Sequence, residues 1–242
     1  MKTKLFALFF TIALVSCTSK DGDFTIFSVE EDLALGTEIV QGIENDPANY
    51  PIISRTENPK AYQKLDRILN KILQSDDILH RNELAWKITL LDNDTVYNAF
   101  CTPGGFIFVY TGLMNFVGSE DELAGIIAHE VAHGDLRHST DQLTKQYGIQ
   151  TLIGLLLDSD AQVIADIGAS LIQLSYSRSD ESEADRFAVR YLKDTDYKPD
   201  AFADFFARLE AKDGNMGVFQ FLSTHPDPGN RVEKIKEEAL IN

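Results

Sequence analysis

His129-Glu130-Val131-Ala132-His133 constrains this chain more than any other short segment. It lies within Leu123 to His133, an apolar and small-residue stretch that reads as a helix. Residues four apart share a helix face, about 6 Å from each other, so both imidazoles can converge on one metal ion. Imidazole nitrogens at roughly 2.0–2.1 Å suit zinc. Glu130 stands beside the first histidine, where its carboxylate can take a proton from a zinc-activated water. The segment therefore predicts a zinc-dependent hydrolase site holding one Zn2+ per chain, with Glu130 as general base.

A catalytic zinc takes three protein ligands and a water. Candidates for the third are Asp135, His138, Asp141 and the carboxylates between Ser179 and Asp185. On one continuous helix His138 would stand roughly 140° around from His133, so it reads as a surface histidine or one behind the ligands. In the later segment, Glu181 shares a face with Ala184, Asp185 and Ala188. Small residues let that face approach another helix closely, and the motif helix offers Gly125, Ala128 and Ala132. Glu183 instead shares its face with Arg186 and Arg190, which reads as solvated and ion-paired. Glu181 is the expected third ligand. Asp185, one turn on, is placed to accept a hydrogen bond from a ligating histidine's second ring nitrogen.

The N-terminus reads as a leader. Lys2 and Lys4 precede an apolar run from Leu5 to Val15, which is too short to span a bilayer as a mature helix. Leu14-Val15-Ser16-Cys17 is similar to a bacterial lipobox, which implies cleavage before Cys17 and acylation of that cysteine. The expected organisation is a lipoprotein signal over residues 1–16, a tether over 17–27 and one domain over 28–242. Loss of Lys2 and Lys4 takes the net charge from −16 to −18. So acidic a chain is a poor nucleic-acid binder and is repelled by anionic lipid, so membrane attachment must come from acyl chains. With Cys17 acylated, Cys101 has no disulfide partner and reads as a small buried apolar residue.

A first helix is expected from Ser28, with Glu31 completing a capping box. A loop follows from Asn45 to Asn58, then a second helix marked by Tyr62, Leu65, Ile68, Leu69 and Ile72. Ala85 to Leu91, Val96 to Cys101 and Phe106 to Tyr110 read as three strands, with Asn93-Asp94 turning between the first two. The motif helix begins near Glu120. Asp141 to Tyr176 is mostly helical and apolar, and reads as a core hairpin or, alternatively, as a lid or lipid-facing lip. Further helices are expected at about 180–192, 201–211 and 231–240. The fold class is α+β, mostly helical, with a small antiparallel sheet beside the motif helix.

The motif, the later Glu181-Ser182-Glu183-Ala184-Asp185, and Asn98-Ala99-Phe100 leading to Pro103-Gly104-Gly105 together resemble the HtpX-like and CAAX-prenyl-protease-like zinc metallopeptidases. The resemblance covers roughly residues 28 to 240 and implies a zincin domain. Ser223-Thr224-His225-Pro226 and Arg231 resemble the C-terminal motif of the soluble BepA-like branch, which acts in outer-membrane protein quality control. Two departures stand out: no integral-membrane helices and no tetratricopeptide array. The resemblance implies that the His225 loop folds over the active site. His225 would then either latch the zinc by filling its fourth position or donate a hydrogen bond to the oxyanion. Arg231 would orient a substrate carbonyl or an acidic neighbour. In zincins an edge strand holds extended substrate by main-chain hydrogen bonds, a role expected here of Gly104, Gly105, Phe106 and Ile107.

The expected activity is peptide-bond hydrolysis by a lipid-anchored zinc endopeptidase on the periplasmic face of the outer membrane. Its expected partners are misfolded or unassembled envelope polypeptides and the membrane, with no nucleic acid. The rival expectation is an envelope chaperone or assembly factor whose zinc site is latent or structural.

Overall fold

The computed structural model describes residues 26–158, 160–171, 174–211, 221–227 and 229–241. The expected signal, most of the tether, Cys17 and Pro228 lie outside them. Helix α1 (Val29–Glu44) opens on Ser28, whose hydroxyl accepts from Glu31 N at 3.2 Å while Ser28 N donates to the Glu31 carboxylate at 2.7 Å. This is the expected capping box. Helix α2 (Pro59–Ile72) buries Tyr62, Leu65, Ile68, Leu69 and Ile72, the five residues that marked it. The expected loop before it contains a short strand, β1 (Ile52–Ile53).

Three further strands follow: β2 (Lys87–Leu91), β3 (Ala99–Thr102) and β4 (Phe106–Tyr110). The sheet runs β1-β2-β4-β3, with β2 and β4 parallel and the other pairs antiparallel. The sheet is therefore mixed, not antiparallel throughout. Asn93-Asp94 does not close a hairpin between β2 and β3, because β4 inserts between them. The tight return is instead β3 to β4 through Pro103–Gly105, where Gly104 and Gly105 both take φ near +80°. Only glycine adopts that conformation without strain.

Side chains alternate across the sheet and build two cores. Ile107 and Val109 of β4 join Ala99 and Cys101 on one face. Helices α2, α4 (Glu120–Asp135), α8 (Arg178–Lys193), α9 (Ala201–Ala211) and α10 (Arg231–Leu240) contribute to that core. Phe108, Tyr110 and Phe100 face the opposite way, onto α1, α5 (His138–Tyr147), α6 (Ile149–Leu157) and α7 (Ala161–Leu171). A short α3 (Thr111–Phe116) links β4 towards α4. Within the apolar segment, α6 buries Leu152 and Leu155 in the second core, the packing expected of a core hairpin, and leaves Leu157 82% exposed. No helix among the described residues is long and apolar enough to cross a membrane.

Candidate metal centre

Helix α4 is buried from Glu122 to Asp135, which places His129, Glu130 and His133 inside the protein with no exposed surface. Ser119 caps its N-terminus by accepting from Glu122 N at 3.1 Å. Its main neighbour is α8, and Ala128, Ala132, Ala184 and Ala188 are all buried in the shared core. Gly125 serves a different approach: a Cβ there would stand 2.8 Å from Phe202 N of α9. Helix α8 is fixed by a capping box between Ser177 and Asp180, and it presents Glu181 and Asp185 to the motif helix.

His129, His133, Glu181 and His225 each offer one ligand atom, and these atoms all lie within 4.8 Å of one another. The spacing is tighter along individual edges. His129 Nε2 and His133 Nε2 are 2.9 Å apart, and His133 Nε2 is 3.3 Å from Glu181 Oε1. His225 Nδ1 is 3.1 Å from Glu181 Oε1 and 3.3 Å from His129 Nε2. Tetrahedral donors about 2.0–2.1 Å from a common centre are about 3.3 Å apart, so the set fits one zinc ion. Three neutral imidazoles and one carboxylate are also the donor chemistry zinc selects. Glu181 meets His133 and His225 through Oε1, while its Oε2 is ion-paired with Arg231 Nη2 at 2.8 Å.

Glu130 stands beside this set. Neither of its carboxylate oxygens has a hydrogen-bond partner, and Oε1 lies 3.4 Å from His225 Nε2. Burial raises its pKa above the ordinary carboxylate value, against the pull of His225 and His129. Burial acts in the same direction on Glu181, but the charges of His225, Arg231 and His129 overcome it and hold that carboxyl well below the usual range. Burial and the neighbouring His129 keep His133 well below the ordinary imidazole value, which leaves it neutral and ready to ligate. Burial lowers His129 too, yet Glu181 and Asp185 carry it up to about 9. A metal must therefore displace a proton there.

The ligands are held from behind. His129 Nδ1 lies 3.0 Å from Asp185 Oδ1. Arg231 Nε and Nη2 each donate to Asp185 at 2.7 Å, and Nη1 donates to the His225 carbonyl at 3.3 Å. Arg231 is 2% exposed and packs over Phe202 and Phe206. Its acidic neighbours are Asp185 and Glu181, the latter 2.8 Å from Nη2. Tyr176 stacks on the His133 ring at a centroid distance of 3.8 Å, and its hydroxyl lies 2.9 Å from Ser139 Oγ. Sequence reasoning did not single out Tyr176. The only available signal was its place just before the cap of α8.

Two expectations meet the structure here. Of the two places open to His138, it takes the one behind the ligands rather than the surface: it is 3% exposed, and its Nδ1 lies 2.9 Å from His133 Nδ1. The helical angle fails because α4 ends at Asp135 and Arg137 takes a left-handed φ of 64° before α5 begins. The second concerns substrate docking by Gly104, Gly105, Phe106 and Ile107. Strand β4 pairs with β2 on one side and β3 on the other, so its main chain is engaged in the sheet. Gly104 and Gly105 are buried against Leu33, Leu84 and Trp86. The edge beside the metal centre is β3, whose Ala99 carbonyl lies 3.4 Å from His225 Nε2.

The sequence profile of peptidase family M48 matches residues 59–239. The chain is 30% identical over 177 residues to the mitochondrial metalloendopeptidase OMA1 of Schizosaccharomyces pombe, covering 72% of this chain and 51% of that protein. It is 24% identical over 226 residues to the beta-barrel assembly-enhancing protease of Yersinia pestis, covering 88% of this chain and 44% of the relative. It is 29% identical over 147 residues to the metalloprotease YcaL of Escherichia coli, covering 58% and 57% respectively. The chain thus spans about half the length of these relatives. A profile match over most of the chain, with its four buried donors gathered at one point, places the protein in peptidase family M48, a family of zinc metallopeptidases.

Proposed function

We propose that this protein is a zinc-dependent endopeptidase, anchored to a bacterial envelope membrane through acylated Cys17, that degrades misfolded or unassembled envelope proteins. The observation that carries the hydrolytic reading is Glu130. It is fully buried beside the donor set and neither oxygen is hydrogen-bonded, with His225 Nε2 3.4 Å from Oε1 as an ion-pair neighbour, a costly arrangement that a structural metal site does not need. The beta-barrel assembly-enhancing protease and YcaL support an envelope setting, and the lipobox-like Leu14-Val15-Ser16-Cys17 supports the anchor.

His129, His133 and Glu181 would hold the metal, and the chemistry zinc would supply there is polarisation of the scissile carbonyl and a water of pKa about 7. Glu130 would take the proton of the attacking water and return it to the leaving amine. The edge of β3 offers main-chain groups, the Ala99 carbonyl among them, to an extended substrate. His225 stands in the way of both. Its Nδ1 faces the donor set, and its Nε2 lies 3.4 Å from both Glu130 Oε1 and Ala99 O. His225 is thus read as a latch that leaves its place when substrate enters.

The same latch favours a second reading, in which the protein is an envelope chaperone or assembly factor with a latent site. Four protein donors make a closed site, which is the coordination of structural zinc. Glu130→Gln decides between the two. For the peptidase it retains one zinc per chain by metal analysis and loses cleavage. Envelope proteins that accumulate equally in a deletion strain and in the Glu130→Gln strain are then substrates of cleavage. If the Glu130→Gln strain restores the wild-type proteome, the chaperone reading holds. The anchor is tested by Cys17→Ser, expected to release the protein from membranes, because two or three acyl chains hold where none remains. Mass spectrometry finding an unmodified mature N-terminus overturns it.

A further inference from the structure

The two histidines of the motif are backed in different ways. Behind His129 stands Asp185, buried and bound by the buried Arg231. Behind His133 stands another imidazole. His133 Nε2 faces the donor set, so Nδ1 carries its proton and must donate to His138 Nδ1, 2.9 Å away. That bond leaves the proton of His138 on Nε2, which lies 3.6 Å from Glu183 Oε2. The Glu183 side chain is 29% exposed, and Arg186 donates to its other oxygen at 3.0 Å. A continuous path therefore runs from a metal-facing nitrogen to a carboxylate at the protein surface.

A specific turn builds this path. Arg137 reverses the chain between α4 and α5 with its left-handed φ, and its Nε donates to the buried Asp32 of α1 at 2.6 Å. Its guanidinium also binds the Ser28 carbonyl at 3.2 Å. The turn brings His138 back over His133, at a ring-centroid distance of 5.1 Å.

We propose that His138 and Glu183 form a relay that fixes the His133 ring and its tautomer and strengthens it as a zinc ligand, so that a surface carboxylate helps set metal affinity. Both are positioning residues. The proposal rests on the zinc reading of the site but not on peptide cleavage.

The experiment measures zinc affinity of the full chain by competition with a chromophoric chelator, alongside the visible spectrum of the cobalt-substituted protein. His138→Phe keeps a ring and removes both nitrogens. It is expected to weaken zinc binding about 10–100-fold, as loss of a hydrogen-bond partner behind a ligand does. His138→Asn, whose amide can accept from His133 and donate onward, is expected to recover most of that loss. Glu183→Ala, partly exposed and expected to fold, is expected to weaken binding several-fold and to shift the cobalt spectrum in the direction of His138→Phe. Thermal unfolding with excess zinc establishes that each variant is folded. A folded His138→Phe within twofold of wild type overturns the proposal. So does equal weakening by Phe and Asn, which assigns the effect to packing, and so does an unchanged Glu183→Ala. If His138→Phe does not fold, Glu183→Ala alone decides. A wild-type chain that binds no zinc overturns the metal reading and the relay together. Zinc binding without cleavage overturns only the peptidase reading.

Discussion

Arg231 grips Asp185 with two hydrogen bonds of 2.7 Å, one to each carboxylate oxygen, and the oxygen that accepts from Nη2 also lies 3.0 Å from His129 Nδ1. The last helix of the described chain is thereby joined to the first histidine of the metal motif, about a hundred residues earlier. The arginine also faces Glu181 at 2.8 Å, so one buried cation neutralises both a metal ligand and the carboxylate that orients another.

Removing that cation leaves two buried carboxylates uncompensated. Arg231→Met is expected to lower stability by about 3–5 kcal/mol, the usual cost of breaking a buried ion pair from one side. Arg231→Lys keeps the charge but cannot make the two-point contact, and is expected to fall between. Urea unfolding of the zinc-loaded proteins measures both. A Met variant as stable as wild type removes the structural role assigned to Arg231.

His225→Ala addresses the latch. The remaining donors His129, His133 and Glu181 are enough to retain zinc, and the space beside Glu130 and Ala99 opens. Peptidase kcat/KM is expected to rise while zinc content stays at one per chain. A fall in kcat of about 10²–10³ would instead give His225 the work of an oxyanion donor.

Gly105→Val is expected to destabilise the protein rather than to reveal a docking contact. Its φ is near +80°, and a Cβ would stand 3.1 Å from both Leu84 Cβ and the Trp86 ring. Such backbone strain costs about 1–3 kcal/mol before any side-chain clash. Thermal melting should show a lower midpoint. An unchanged midpoint would mean that the turn between β3 and β4 relaxes without cost.

Zinc removal is expected to weaken the fold. Free zinc at about 1,000 times its Kd stabilises the folded chain by about 4 kcal/mol, which a chelator removes. Calorimetry with and without chelator reads the difference. A midpoint indifferent to the metal would argue that the four donors do not bind it tightly.

Much of the local structure was legible in the sequence because it depends on near neighbours. The Ser28–Glu31 capping box, the apolar stripe of α2 and the extent of β4 follow from spacings of a few residues. The i,i+4 spacing of His129 and His133, and the small-residue face carrying Glu181 and Asp185, pointed to the groups now found together. Three features depended on distant packing. Strand β4 lies between β2 and β3 because strand order follows from burying both faces of the sheet, and Asn93-Asp94 suits a turn whichever strand comes next to β2. Glu183 reads as a solvated charge beside Arg186, and it reaches His138 only because α8 lies against the motif helix. For His138, the angle on one uninterrupted helix left the surface and a place behind the ligands both open. The left-handed turn at Arg137, held by Asp32 from the opposite core, decides where that imidazole points. The sequence by itself determined which residues can bind zinc and which helices carry them. Tertiary structure decided what stands behind each ligand, because those partners come from separate segments joined only by packing.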